Sequence, residues 1–467
     1  RVEDADAKAL GERWTLLFPD YYKASTGLDV AAGDIMSLER LAASGKEILV
    51  GLQNEGEGTK APAAASKVTR ITIYRRSGKL NLSTMMPLME HLGLVVVEEV
   101  PTRLLNEEGT FIHDFGVLDA EGRQLDVEEV SERIATAIES VLEGETETDS
   151  LNRLLVSTGL SHDELAILRA YRSYWLLLGS SFSSNYVDDT FAAHPGLAEM
   201  LVRLFQTRFA PADGDGDEAD LVQRMKKEIN AIESLDEDRI LRGFLGLILA
   251  TERTSIHVEG RTSLALKFAS AKVPGMPDPR PMYEIFVHAR DVEGIHLRGG
   301  MVARGGIRWS DRREDYRTEV LGLMKAQMTK NVVIVPTGAK GGFVVKRSED
   351  PGRPTYDEVR DCYKVFIRGL LDVTDNRVGD AIVPPSGVRR HDGDDPYLVV
   401  AADKGTASFS DTANEIAGEY GFWLDDAFAS GGSAGYDHKA LGITAKGAWE
   451  SVRRHFLDLG LDVDTDG

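Results

Sequence analysis

The stretch Asn331-Val332-Val333-Ile334-Val335-Pro336-Thr337-Gly338-Ala339-Lys340-Gly341-Gly342 sets a short apolar strand against a glycine loop that surrounds one lysine. In open α/β sheets ligands sit beyond the carboxyl ends of such strands, so Lys340 is expected at the mouth of a cleft. Gly338, Gly341 and Gly342 let a small substrate approach the backbone closely, and a partly desolvated amine can act as a base or polarise a carbonyl. The bland alternative is a lysine that snorkels from a glycine turn. A phosphate loop is excluded, because GxxxxGK followed by Ser or Thr is absent. A second strand, Tyr397-Leu398-Val399-Val400-Ala401-Ala402, runs straight into Asp403-Lys404-Gly405-Thr406. Asp403 is expected to face the same cleft, although Asp there is also a common turn or cap residue. The pair Lys340 and Asp403 is stronger evidence than either alone, since proton transfer uses two groups whose surroundings push their pKa values apart.

A third cluster precedes both: Arg304-Gly305-Gly306-Ile307-Arg308-Trp309-Ser310, then a helix with Tyr316, Val320, Leu323, Met324 and Met328 on one side, ending at Thr329-Lys330. Arg304 and Lys330 would add cations to a glycine-lined cleft in an acidic chain, which suits a small carboxylate. Taken singly, each reads equally as a surface cation. Thr355 and Glu358 form a capping box that opens a helix with Val359, Cys362, Tyr363, Phe366 and Leu370 on its apolar face. Cys362 is therefore expected in the core and not as a reactive thiol. Among the histidines there is no HExxH spacing; His391-Asp392-Gly393-Asp394-Asp395 is the one stretch that invites a divalent ion, and it reads as a surface loop, so no metal is expected.

Working outward, residues 254–467 mix short strands, glycine turns and helices, whereas 125–253 is helical throughout. Ser161-His162-Asp163-Glu164 reads as another capping box, followed by a stripe of Leu165, Leu168, Tyr171, Tyr174, Trp175 and Leu178. Within this connector Asp213-Gly214-Asp215-Gly216-Asp217-Glu218 fails as a calcium loop, which needs Gly at the sixth position and a carboxylate at the twelfth. It also fails as a dinucleotide turn, because its carboxylates would face a pyrophosphate. It reads as a solvated linker. Residues 67–124 carry a strand at 68–74, a helix with Leu82, Met85, Met86, Met89 and Leu92 on one side and Pro87 in its first turn, and strands at 94–100 and 111–118. The pattern resembles the ACT-type ligand-sensing fold; a plain packing module is the alternative. Residues 1–66 read as the end of a regulatory region followed by a small-residue linker from Glu55. The fold class is α/β multidomain: a mixed α/β catalytic domain preceded by a helical connector and an ACT-like α+β region.

A formal charge of −22, with 54 basic against 76 acidic side chains, repels a phosphate backbone and an anionic membrane face. Nucleic acid and membrane are therefore not expected as partners. No apolar run reaches the 18 or so residues a membrane span requires, and one cysteine cannot form a disulfide within the chain, so a reducing cytoplasm fits. The chain opens on Arg1 and reads as a piece of something longer.

The ordered set GGIRWS, MTKN, PTGAKGG and AADKGT resembles the glutamate dehydrogenases, and more specifically their very large bacterial NAD-dependent form, over roughly Leu297 to Phe456. The resemblance implies oxidative deamination of L-glutamate to 2-oxoglutarate and ammonium, with Lys340 activating water and stabilising the carbinolamine and Asp403 shuttling protons to and from the amine. It implies substrate-binding roles for Arg304, Gly305, Gly306, Arg308, Lys330 and Gly338, and a homo-oligomer. Family members usually have Lys where this chain has Arg304; a guanidinium can grip a carboxylate through two hydrogen bonds. No G-x-G-x-x-G follows a strand, and Gly431-Gly432-Ser433-Ala434-Gly435 has the wrong spacing. NAD is thus expected to be bound mainly by a domain outside the chain, beyond a helix at 445–459, leaving the cofactor-binding residues unassigned. Two other readings compete: a dehydrogenase of apolar amino acids, disfavoured by the cation at 304, and a regulatory segment that binds an amino-acid effector at 67–122.

Overall fold

The computed structural model describes residues 4–56, 67–105, 109–211, 217–330, 337–347, 354–406, 408–433 and 441–465. They fall into two compact units: residues 1–172, 182–203 and 224–241 in one, and 173–181, 204–223 and 242–467 in the other.

The first unit opens with helices α1 (Asp4–Thr15), α2 (Asp20–Ser25) and α3 (Leu28–Ser44). Strands β1 (Ile48–Asn54) and β2 (Thr69–Arg75), helix α4 (Leu82–His91), strands β3 (Val95–Arg103) and β4 (Phe111–Leu118) and helix α5 (Val127–Leu142) follow. The strands make one antiparallel sheet in the order β1-β2-β4-β3. It holds one more strand than the pattern at 67–124 suggested, because β1 pairs with β2 from Ile48↔Arg75 to Asn54↔Thr69. Tyr74, Ile112 and Leu49 join Trp14, Phe18, Tyr22, Leu38 and Leu41 of the leading helices in one apolar cluster. Pro87 lies inside α4 and not in its first turn, since the helix already begins at Leu82 after Asn81. Met85, Met89 and Leu92 of the expected stripe are buried, while Leu82 and Met86 are exposed and Leu88 is buried in their place, so the packed face is rotated slightly from the expected one.

The helical connector contributes α6 (Leu154–Ser157), α7 (His162–Leu177), α8 (Ser184–Ala193), α9 (Pro195–Phe209), α10 (Glu218–Ile229) and α11 (Leu235–Ala250), segments of which belong to each unit. The Ser161 box is formed: Glu164 Oε2 accepts from Ser161 N at 2.8 Å and Ser161 Oγ from Glu164 N at 3.3 Å. Of the acidic stretch, residues 213–216 lie outside the described residues, and Asp217 caps the start of α10 by accepting from Asp220 N.

The second unit is built on strands β5 (Thr251–Thr254), β6 (Leu264–Ala269), β7 (Tyr283–His288), β8 (Val292–Arg298) and β9 (Gly305–Trp309). Helix α12 (Tyr316–Lys330), strand β10 (Ala339–Val345), helix α13 (Tyr356–Leu371) and a small hairpin, β11 (Asn376–Val378) and β12 (Ala381–Val383), come next. Strand β13 (Val400–Ala402) and helices α14 (Ser410–Glu419) and α15 (Ile443–Asp458) complete it. Its sheet runs β13-β9-β10-β8-β7-β6-β5. The β13-β9-β10 edge is parallel and the remainder antiparallel. On one face Ile285, Val287, Val292, Ile307, Phe343 and Val345 pack with Val359, Phe366 and Leu370 of α13 and Ala413 and Ile416 of α14. Cys362 belongs to this core and is 6% exposed. Helix α12 is fixed to the sheet by a buried ion pair, Arg317 with Glu284, whose Oε2 also accepts from the Tyr174 hydroxyl at 2.8 Å. A buried pair of this kind adds little net stability but commits the helix to one position, because either charge alone would be stranded.

The His391–Asp395 segment is a surface loop only in part: Gly393 and Asp394 are exposed, but the Asp392 and Asp395 side chains turn inward. Arg253 takes Asp375 at 2.8 Å and Asp392 at 2.6 Å. Lys267 takes Asp395 at 2.6 Å and also pairs with Asp392, and Arg298 pairs with Asp395. These side chains are all at most 5% exposed. The carboxylates point inward because strands β5, β6 and β8 bury three cations that must be neutralised. Burial pushes the Asp395 pKa up, but Arg298 and Lys267 outweigh it and hold the carboxyl down at about 2. Its folded pKa is therefore below the unfolded value of about 3.9, so its stabilisation is present above that value and lost as pH falls through it toward the folded pKa. The urea midpoint of Asp395→Asn is expected to lie below wild type by a constant interval from pH 7 down to about 5, with the interval shrinking below about pH 4. Urea titrations at a series of pH values check this.

Candidate active site

The glycine loop is the beginning of a strand. Residues 331–336, where a preceding strand was expected, lie outside the described residues, and Lys340 is inside β10, paired with Leu297 of β8. It therefore does not sit in a loop beyond a strand end. Alternation along β10 places Lys340 on the face shared with Gly342, where an added Cβ would come 2.5 Å from Val320 of α12.

The central parallel strand β9 brings the pieces together. A Cβ on Gly305 would fall 1.3 Å from the Ala339 carbonyl oxygen, and one on Gly306 3.0 Å from Cβ of Asp403. Only glycine allows that first approach. Gly338 forms an isolated parallel bridge with Arg304, and Ala339 N donates to the Arg304 carbonyl at 3.0 Å. Thus β10 and β13 flank β9 closely, and Lys340 Nζ donates to Asp403 Oδ2 at 2.7 Å across 63 residues of sequence.

Asp403 follows β13 directly and is held from several sides. Lys404 N donates to its Oδ1 at 2.7 Å, and Arg308 Nη2 stands 3.6 Å from the same oxygen. The turn beneath is tied by Thr406, whose hydroxyl donates to Ile307 O at 2.6 Å, and it is completed by Gly405 at φ +82°. Burial raises the Asp403 pKa, but Lys340, the Lys404 amide and Arg308 oppose it, and the carboxyl ends below its ordinary value. It is a charged acceptor beside an ammonium donor.

Arg308 is engaged elsewhere than expected. Its Nη1 donates to Glu319 Oε1 of α12 at 2.5 Å, and Ser310 Oγ donates to Glu319 Oε2 at 2.7 Å. Between Glu319 and Asp403 the guanidinium makes one hydrogen bond, to Glu319, and faces the Asp403 carboxylate at 3.6 Å, while its buried Nε has no hydrogen-bond partner among the described residues. Arg304 is exposed, with Nε donating to the Tyr397 hydroxyl at 2.7 Å and its carbonyl accepting from Gln327 Nε2 at 2.6 Å. Lys330 ends α12, and its side chain lies outside the described residues. Glu319, Gln327, Tyr397 and Thr406 were not identified from the sequence. For Glu319 a signal existed, a carboxylate flanking the buried stripe of the helix that follows GGIRWS; Gln327 and Tyr397 carried none. No group of three or more His, Cys, Asp or Glu side chains among the described residues is arranged to hold a metal.

The β13-α14 turn does not suit a pyrophosphate. The parallel strand-turn-helix unit β13-α14 carries Asp403 in its turn and Asp411 in the first turn of the helix. Asp411 Oδ1 already accepts from Ser433 N and Oγ. A pyrophosphate would meet carboxylates there instead of free amides.

The candidate site is thus a lysine and a strand-end aspartate joined across the parallel edge of a mixed sheet, with the exposed Arg304 at the start of β9. The chain belongs to the bacterial NAD-glutamate dehydrogenase family, whose catalytic-domain model matches residues 224–467. Models of glutamate dehydrogenase helical motif 3 and of its ACT3 domain match residues 146–211 and 59–130. The chain is 49% identical over 411 residues to the NAD-specific glutamate dehydrogenase of Pseudomonas aeruginosa, covering 84% of this chain and 25% of that protein. Proteins of the same name from Halomonas elongata and Mycobacterium tuberculosis are 44% and 43% identical over 99% of this chain. The chain spans 29% of each of these two.

The close approach at Gly305 gives a direct test. Gly305→Ala forces β9 and β10 apart, and kcat/KM of the full-length enzyme is expected to fall by at least about 100-fold, since misplacing reacting groups by about 1 Å costs that much. Gly322→Ala, where the added methyl meets nothing within 4 Å, is expected to behave as wild type.

Proposed function

We propose that this chain supplies the substrate half of the active site of an enzyme that converts L-glutamate, NAD and water to 2-oxoglutarate, ammonium and NADH. The observation that carries the reading is the 2.7 Å contact between Lys340 and Asp403 on a glycine-lined parallel edge. Asp403 takes the proton released by the substrate ammonium, and Lys340 stabilises negative charge on the oxygen of the carbinolamine and positions the attacking water. The opposing influences on Asp403 give this a physical basis. When Lys340 turns toward the substrate, the largest restraint on the carboxyl is removed and burial raises its pKa toward a value useful for accepting a proton. Arg304 and Lys330 bind the two substrate carboxylates, Gly305, Gly306 and Gly338 admit the substrate to the backbone, and Arg308 acts by holding Asp403.

NAD is bound mainly by residues outside this chain in our reading, supported by the acidic β13-α14 turn and by the NAD-specific names of its relatives. A cytoplasmic setting accords with the single cysteine, and the homo-oligomer rests on the family resemblance alone. Among the described residues no helix is long and apolar enough to cross a membrane.

In the full-length enzyme, NADH oxidation with ammonium is expected for 2-oxoglutarate and not for 2-oxoisocaproate. Lys340→Ala is expected to lower kcat by about 100-fold to 10,000-fold with the fold intact. Preference for the apolar keto acid would transfer the reading to dehydrogenases of apolar amino acids. Activity that survives Lys340→Ala would remove this lysine from the chemistry.

A further inference from the structure

Arg304 is an exposed side chain with an unusually fixed stem. Its carbonyl accepts from Gln327 Nε2 and from Ala339 N, so its backbone is pinned between α12 and β10. Its guanidinium makes one hydrogen bond to a described residue, from Nε to the Tyr397 hydroxyl at 2.7 Å. That bond engages Nε and leaves both terminal amino groups without a hydrogen bond to a described residue, so they remain able to receive a carboxylate through two parallel hydrogen bonds.

Tyr397 is itself held by more than its surroundings require. Its carbonyl accepts from Arg298 Nη1 at 3.0 Å, and its ring lies 6.4 Å from that of Trp423, whose indole donates to the Pro396 carbonyl at 2.7 Å. Two residues earlier, Asp395 is locked between Lys267 and Arg298, and its amide donates to Asp375 Oδ2 at 2.7 Å. Buried charges of this kind contribute little net stability, and their best-attested use is to commit a segment to one register. Here the committed segment ends at the hydroxyl that touches Arg304.

We propose that Tyr397 is a specificity-positioning residue: its hydroxyl fixes the Arg304 guanidinium so that the enzyme selects amino acids bearing a side-chain carboxylate. The proposal rests on the reading of Arg304 as the cation for that carboxylate. A tyrosine acting through Arg304 strengthens a contact made equally in the ground and transition states, so its loss appears in KM and not in kcat.

The test uses the full-length enzyme, L-glutamate, and L-norvaline as the analogue without the distal carboxylate. Tyr397→Phe is expected to raise KM for L-glutamate by about tenfold with kcat within about twofold, while kcat/KM for L-norvaline stays within about twofold. The preference for glutamate then drops about tenfold. In an Arg304→Met background the same tyrosine substitution is expected to leave the preference unchanged, because the residue through which it acts is gone. Equal losses for both substrates, or a further drop in preference in that background, would show a merely structural tyrosine and overturn the proposal. An unchanged preference in Tyr397→Phe alongside a collapse in Arg304→Met would also overturn it while keeping Arg304 as the substrate cation. If Arg304→Met itself leaves KM for L-glutamate unaltered, the underlying assignment of Arg304 fails, and the proposal with it. Matching thermal midpoints for wild type and Tyr397→Phe separate these outcomes from a folding defect.

Discussion

Two glycines let three parallel strands come close enough to bring Lys340 and Asp403 into contact. Strand β9 brings Arg308 up to Asp403, and its thinness at Gly305 and Gly306 determines how near β10 and β13 can stand. The hydrogen bonds of the parallel edge, the bridge from Arg304 to Gly338 and the Thr406 tie to Ile307 all presuppose that approach. A side chain larger than hydrogen at 305 would not weaken one contact; it would displace the frame on which lysine, aspartate and both arginines are mounted.

Around that frame the chain places charge where most proteins place hydrocarbon. Glu284 and Arg317 fasten α12, and Arg253, Lys267 and Arg298 with three aspartates fasten the 391–397 segment. Such networks return little of their desolvation cost as stability. What they provide is a unique arrangement, since a register shift would leave a charge in a dry interior. The α13 side of the sheet, built from Val, Ile and Phe, supplies the ordinary apolar burial.

The sequence made the chemistry legible where a short motif carries its own geometry. Lys340 and Asp403 were both recognisable as ionisable groups beside glycines, and their meeting followed from the expectation of a common cleft. The placement of Lys340 inside β10 was not legible, because Pro336 and the glycines resemble a loop until β8 and β9 offer hydrogen bonds to either side. Likewise His391–Asp395 has the composition of a surface loop. The inward turn of Asp392 and Asp395 depends on cations supplied from residues 253, 267 and 298, and no local pattern reveals a partner 97 to 139 residues away. Strand β1 was hidden for a related reason, since its mixed residues become a strand only when β2 provides an edge. Arg308 was expected among the substrate ligands from its motif, and its hydrogen bond to Glu319 on the following helix was not legible, because no local pattern pairs the two.

The one thiol of the chain lies against the sheet under α13, and burial pushes its pKa up to about 12. Thiolate, the form that attacks maleimides and peroxides, is then negligible at neutral pH. This span of the enzyme is accordingly silent toward sulfhydryl reagents, and a cysteine introduced near the cleft could carry a fluorophore or spin label without competition from Cys362. Within this span, the Arg304 rim could then be followed by a reporter that Cys362 does not dilute.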